Sequence, residues 1–237
     1  MCGRSSLTKT EKEIEARFHA TFYSEELERY NPLPNFNVAP TQMHPVITEK
    51  DPNFIHLFRW GLIPFWAKNV SIGSKMINAR LETLLLKPVF KNLLSSKRCL
   101  VPLDGFYEWK TEGKIKTPYR IITTDQSIFS VAGLYDIWKV PDTGENIYSF
   151  TIITHEPNSL MKKIHDRMPA ILLPQNEKYW LDSEIQPKEA LQLLIPYPAK
   201  DMQAYEVSPK VNKVSINDPS LIEPFNSIPT AIQTRLF

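Results

Sequence analysis

Cysteine stands at position 2, directly after Met1. An initiator methionine is commonly clipped when the next residue is small, and Cys2 is small. Clipping leaves one residue carrying both a free α-amine and a thiol. Their ordinary pKa values, about 7.7–8.0 and about 8.5, leave a useful fraction of the amine unprotonated near neutrality and a smaller fraction of the thiol ionised. Such a 1,2-aminothiol supports two chemistries. Its sulfur can attack an acyl carbon, with its own amine as base. It can also trap an aldehyde: the amine condenses to an imine and the thiol closes a five-membered thiazolidine. The other reading is a small residue at a frayed terminus.

Three further stretches carry groups able to move protons or bind anions. "MINARLETL" places Asn78 and Arg80 where a helix is expected to begin. Asn78 then either caps the helix or donates to a substrate oxygen. Arg80 either forms a solvated pair with Glu82 or grips a phosphate with its guanidinium fork. "DGFYEWK" follows a turn at Asp104-Gly105, and strand alternation puts Phe106 and Glu108 on one face, Tyr107 and Trp109 on the other. A carboxylate sharing a buried face with a phenyl ring has a raised pKa and can shuttle protons; on an exposed face it is ordinary. "KKIHDRMP" offers His165, a general acid or base by type, with Asp166 and Arg167 beside it to orient it or bind an anion. "RWGLIPFWAK" interleaves Trp60, Phe65 and Trp66 with Arg59 and Lys68. These rings either fill a core loop or stack unpaired bases. No local spacing ties Cys2, Asn78, Glu108 and His165 together.

The elements that must position these groups are legible in outline. "TKTEKEIEARFHA" reads as a helix opened by a Thr10/Glu13 capping box, with Ile14 and Phe18 inward. "SEELERY" reads as a shorter helix capped by Ser24. "NFNVAP", "PVITE" and "FIHLFRW" read as extended. "RLETLLLKPVFKNLLSSK" reads as a helix restarted at Pro88. "RCLVPL", "FYEWK", "TPYRII", "SIFSVAGLY" and "IYSFTIIT" are five successive strands. "EPNSLMKKI" is expected to be a short helix, "PAILL" a strand, "QNEKYWL" a helical turn or two, "PKEALQLLI" a helix and "AYEVSP" a final strand. Consecutive strands outnumber helices, which predicts an α+β fold with a mostly antiparallel sheet in one domain, residues 1–237.

The 237 residues hold 7 glycines, 20 prolines and only two cysteines, Cys2 and Cys99, with a net charge of +2. Two cysteines build neither a disulfide framework nor a cysteine-rich zinc site, and the histidines lack metal-ligand spacing. So few glycines, without a P-loop or dinucleotide fingerprint, argue against nucleotide cofactors. No cofactor and no metal are expected. No apolar run of about 18 residues suggests a membrane span, and no secretory leader is visible. A mild positive charge permits a nucleic-acid groove without demanding one.

Taken in order, "MCGR", "NVAPTQ", "RWGLIPFWAK", "INARLET", "RCLVPLDGFYEWK", "AGLYD", "FTIIT" and "MKKIHDRMPAIL" resemble the SOS-response-associated peptidase (SRAP) family, from residue 2 to about 215. The resemblance implies a compact α+β domain on a barrel-like sheet flanked by helices. It implies binding to single-stranded DNA and covalent capture of abasic sites by Cys2 after Met1 is removed. On that resemblance Asn78 polarises the ring-opened sugar, and Glu108 and His165 handle protons. Arg4 and Arg80 hold phosphates, and Phe65 and Trp66 wedge against bases, with Asn37 and Pro40 nearby and Thr154 a lesser contact. His155 enters close to the site. A stand-alone, cytoplasmic, bacterial monomer is expected, nucleoid-associated when bound to DNA. The competing readings are a thiol peptidase, including self-removal of Met1; an N-terminal-cysteine amidohydrolase, which typically uses an Asn-Gly oxyanion hole that this chain lacks; and a DNA-binding module without covalent chemistry.

Overall fold

A computed structural model describes residues 2–225; residues 226–237 of the expected domain lie outside the described residues. The chain starts with β1 (Ser5–Leu7) and α1 (Glu11–Phe18). The capping box forms as read: the Thr10 hydroxyl accepts from the Glu13 N–H at 3.3 Å, and Glu13 accepts from the Thr10 N–H at 2.8 Å. β2 (Thr21–Phe22) and α2 (Ser24–Arg29) follow. Tyr23, not Ser24, caps α2, and without a side-chain bond. Its extended backbone is set by its N–H, which donates to the Ile55 carbonyl at 3.1 Å. Then come β3 (Asn35–Val38), β4 (Met43–Thr48), β5 (Asp51–Trp60), β6 (Asn78–Arg80), α3 (Pro88–Ser96), β7 (Arg98–Leu103), β8 (Gly105–Glu112), β9 (Ile115–Thr123), β10 (Phe129–Lys139) and β11 (Asn146–His155). β12 (Met168–Pro169), α4 (Pro174–Trp180), α5 (Pro187–Gln192) and β13 (Met202–Glu206) complete the set.

Strands β4, β5, β11, β10 and β7 close on themselves. β7 pairs β4, β4 pairs β5, β11 pairs β10 and β10 pairs β7, all antiparallel. A short parallel pairing, Ser149 with Arg59 and Phe150 with Trp60, joins β11 to β5 and shuts the ring. A second antiparallel sheet runs in the order β13-β9-β8-β1-β3. The α+β, barrel-like, mostly antiparallel architecture is therefore present, in one domain.

Both faces of the barrel strands are buried, which is why they read as nearly continuous apolar runs. One face (Ile47, Ile55, Leu100, Leu134, Ile153) packs against Ile14 of α1, Phe90 and Leu94 of α3, Trp180 of α4 and Ala190 of α5. The other (Val46, Phe58, Trp60, Val101, Ile152) packs with Phe106 and Ile121 of the second sheet, and with Cys2.

Two segments depart from expectation. Residues 78–80 do not enter a helix: they form β6, parallel to β11, with Asn78 opposite Ile152 and Arg80 opposite Thr154. Ala79 is buried in the core, and the β11 edge supplies hydrogen bonds that no local propensity could foresee. The helix expected over "EPNSLMKKI" shrinks to one 3-10 turn at Met161–Lys163. Asn158 Oδ1 accepts from the N–H groups of both Leu160 and Met161, bending the chain just ahead of that turn. The strand expected at "PAILL" is only β12, extended by an isolated bridge between Val131 and Ile171.

β5 ends at Gly61, whose φ of +116° is one that L side chains rarely adopt, and a Cβ there would lie 2.5 Å from the Gly73 carbonyl oxygen. Gly61→Ala combines strain with a backbone clash and is expected to cost about 3 kcal/mol, lowering Tm by roughly 6–12 °C in calorimetry. Gly113→Ala is the control: its φ is +60° but nothing lies within 4 Å, so only strain of about 1 kcal/mol remains.

Candidate active site

β1 lies between β3 and β8, with Ser5 paired to both Val38 and Phe106. The residues before β1 are thereby drawn inward. The Tyr107 N–H donates to the Arg4 carbonyl at 2.9 Å, and Cys2 is fully buried. The Cys2 carbonyl accepts from Asn78 Nδ2 at 2.7 Å. Asn78 reaches it because β6 is hydrogen-bonded to β11 and its side chain alternates away from buried Ala79. Asn78 Oδ1 is buried and has no hydrogen-bond partner among the described residues.

Glu108, on β8, is 2% exposed and shares its face with Phe106, as alternation predicts; Tyr107 and Trp109 pack in a separate cluster with Val211. Burial pushes the Glu108 carboxyl up to about 7, against the pull of the chain's N-terminal charge. Burial, with the Glu108 charge, also pushes the Cys2 thiol far above its ordinary range. The resting thiol is therefore protonated and needs a base at the moment it reacts. His165 Nε2 lies 3.8 Å from Glu108 Oε2. Burial and the N-terminal charge lower the His165 pKa, while Asp166 opposes them. A cavity beside His165, lined by Lys110, Glu156, Lys162 and Lys163, opens its other side to solvent. Cys2, Asn78, Glu108 and His165 thus meet, from four separated segments.

The remaining candidates divide. Arg80 is exposed on the same strand as Asn78. Phe65 and Trp66 are 68% and 56% exposed, in a turn beyond β5. Arg4 is turned toward the protein: Nη1 donates to Asn37 Oδ1 and to the Val211 carbonyl, both at 2.6 Å. Asn37 is buried, and its Nδ2 donates to the carbonyls of Lys213 and Ile216, clamping that segment. Pro40 is half-buried. Thr154 is fully buried, and its carbonyl accepts from Arg167 Nη2 at 2.7 Å. His155 is also buried, its Nδ1 2.6 Å from the Glu156 carbonyl. Glu82 does not pair with Arg80; it takes both arms of Arg167, at 2.7 and 2.9 Å.

Sequence reasoning missed the groups that hold the aromatic turn. Buried Asp136, on β10, accepts from the Phe65 N–H at 2.8 Å and pairs with Lys97. Trp138 Nε1 donates to the Ala67 carbonyl at 2.7 Å, and the Ile63 N–H donates to Ser149 Oγ at 2.8 Å. The only local signal was a carboxylate within an otherwise apolar strand.

The family model described as SOS response associated peptidase (SRAP) matches residues 1–214. The chain is 47% identical over 226 residues to the abasic site processing protein YoqW of Bacillus subtilis (strain 168), covering 94% of this chain and 99% of that protein. It is 32% identical over 235 residues to the abasic site processing protein YedK of Escherichia coli (strain K12), covering 94% and 100%. A solved structure of a protein from Bacteroides thetaiotaomicron superposes with a TM-score of 0.87 at 35% identity, covering 94% of this chain and all of that one.

The raised Glu108 carboxyl has a consequence for stability. Between pH 4.5 and about 7 the folded chain keeps a proton that the unfolded chain has released, so this group lowers stability as pH rises through that window. Glu108→Gln removes the slope. Relative to the parent protein its Tm is expected to be unchanged near pH 4.5 and higher by several degrees at pH 8. Thermal melts across that range check this; a constant offset would contradict it.

Proposed function

Since the chain belongs to the SRAP family and its relatives YoqW and YedK are named abasic site processing proteins, we propose that it processes abasic sites in DNA. The finer reading is covalent capture in single-stranded DNA by Cys2, once hydrolysis of the Met1–Cys2 bond has freed its amine. The observation that carries it is the convergence of Cys2 with Asn78, Glu108 and His165.

An abasic deoxyribose opens to an aldehyde. The Cys2 amine adds to that carbon, and the resulting carbinolamine loses one water to give an imine. Sγ then adds to the imine carbon while the thiol proton passes to nitrogen, closing a thiazolidine. One N–C and one S–C bond form, one water leaves, and nothing is oxidised or reduced. A carboxyl group with a pKa of about 7 is present near neutrality in both protonation states. Glu108 can therefore protonate the departing hydroxyl and, once ionised, receive the thiol proton. That second role matters because the buried thiol cannot ionise in advance. His165 relays protons between Glu108 and solvent, and Asn78 orients the opened sugar through its unpartnered Oδ1. Arg80 takes a flanking phosphate, and Phe65 and Trp66 stack on bases that only an unpaired strand can offer. Arg4, Asn37, Pro40 and Thr154 shape the frame behind these contacts. Peptide hydrolysis by the same thiol is the second reading, favoured by the family's description.

The decisive experiment mixes protein, verified by intact mass to begin at Cys2, with a single-stranded oligonucleotide bearing one abasic site. A denaturing gel is expected to show a stable shifted band that Cys2→Ala loses or renders reversible. No band from correctly processed protein would overturn capture and make peptide hydrolysis the next assay. Glu108→Gln is expected to slow the reaction about 10²-fold. Phe65→Ala and Trp66→Ala should each weaken binding by about 1–3 kcal/mol without altering reaction of Cys2 with a small free aldehyde.

A further inference from the structure

His165 Nδ1 has two competing neighbours. The Arg167 backbone N–H donates to it at 3.1 Å, and Asp166 Oδ1 lies 2.8 Å away. The two contacts require opposite proton placements. Accepting from Arg167 needs a lone pair on Nδ1, which leaves the ring proton on Nε2, facing Glu108 at 3.8 Å. Donating to Asp166 puts the proton on Nδ1 and, in the neutral ring, turns a bare Nε2 toward the carboxyl group. What decides between them is how firmly the Arg167 N–H is held in place.

Arg167 is held on two sides. Its backbone runs into β12, which pairs with Thr154 and His155. Its guanidinium, 11% exposed, makes the bidentate pair with Glu82 at 2.7 and 2.9 Å and also donates to the Thr154 carbonyl. Thr154 pairs with Arg80, two residues before Glu82, so both anchors sit on the joined β6–β11 edge. A bidentate Arg–carboxylate pair is directional, and here the guanidinium is mostly buried while the Glu82 carboxylate is 45% exposed. Asp166 is 86% exposed, and a contact to so exposed a carboxylate is worth little. Facing His165 are Glu108 from β8, Asp166 beside it, and Lys110, Glu112, Glu156, Lys162 and Lys163 around the adjoining cavity; the chain's N-terminal charge lowers its pKa, and the Arg167 guanidinium is directed toward Glu82.

We propose that Glu82 is a positioning residue for His165: by clamping Arg167 it keeps the Arg167 N–H on Nδ1 and the ring proton on Nε2, directed at Glu108. The inference rests on the proton-relay role given to His165 above, but its structural half is measurable without any DNA.

The test is long-range ¹H–¹⁵N correlation NMR on histidine-labelled protein, with the His165 signals identified by their loss in His165→Gln. The parent protein is expected to show the Nε2–H tautomer. Glu82→Ala should shift His165 toward the Nδ1–H form, raise its titration midpoint as Asp166 gains hold, and slow cross-linking about tenfold at neutral pH. Adding Asp166→Ala to Glu82→Ala should return the Nε2–H form and part of the rate. If Glu82→Ala is poorly folded, Glu82→Gln, which keeps the shape and one acceptor, should give intermediate values of both. A His165 tautomer and midpoint unchanged in a folded Glu82 variant would overturn the proposal, whatever the rate does. Absence of cross-linking in every protein, with the tautomer shift intact, would instead overturn the proposed function and leave the Glu82 assignment standing.

Discussion

A thiol and a carboxyl group are enclosed together where water cannot solvate a second negative charge. Cys2 is fully buried and Glu108 nearly so; burial raises the pKa of both, and the Glu108 charge raises that of Cys2 further. In that setting the thiol keeps its proton while the carboxyl group titrates near neutrality. The rest of the site follows from this constraint. Asn78 holds the Cys2 carbonyl inside the fold, and His165, a quarter exposed, lies between the enclosed carboxyl and solvent. A more open site would leave Cys2 an ordinary thiol with an ordinary carboxylate beside it.

The enclosure depends on where β1 lies. It is only three residues long, yet it is a central strand, flanked by β3 and β8. Its position is held by a buried polar knot. Asp104 accepts from Ser6 Oγ at 2.6 Å, from the Thr8 N–H at 2.7 Å and from Arg120 Nη2 at 3.1 Å. Buried charges of this kind are tolerated because they are multiply hydrogen-bonded, and they fix one register rather than adding net stability. On the far side of the barrel, buried Arg98 plays a similar part, donating to the carbonyls of Leu94 and Trp180 at 2.7 and 2.6 Å and so tying α3 and α4 to β7.

The barrel itself does two further things. Closure of β11 onto β5 leaves β11 able to take β6 as well, which carries Asn78 and Arg80 to the site on one short strand. Strand β10 presents buried Asp136 and Trp138, and β11 presents Ser149, to the aromatic turn, so that two exposed rings, Phe65 and Trp66, stand on a backbone fixed at residues 63, 65 and 67. On the proposed reading, this fixed backbone lowers the ordering entropy lost when the rings stack on bases.

Much of this was legible in the sequence, for local reasons. The α1 capping box, the helix starts at Pro88 and Pro187, the five successive strands from 98 to 155 and the shared face of Phe106 and Glu108 are all set within a few residues. By itself the sequence determined the fold class, the order of most elements, the family resemblance and which residue types were fit for the chemistry. Tertiary structure alone decided the pairing of those residues. Asn78 meets Cys2 across 76 positions and Glu82 meets Arg167 across 85, through a parallel β6–β11 register that overrode the helix expected there. It also decided that Arg4 and Asn37 bind the protein's own backbone, that the Thr154 carbonyl accepts from the Arg167 guanidinium, and that Asp136 anchors the aromatic turn. The physical reason is that propensity, capping and alternation act within about one or two turns of chain, whereas burial and protonation state depend on every neighbour that the folded sheets bring together.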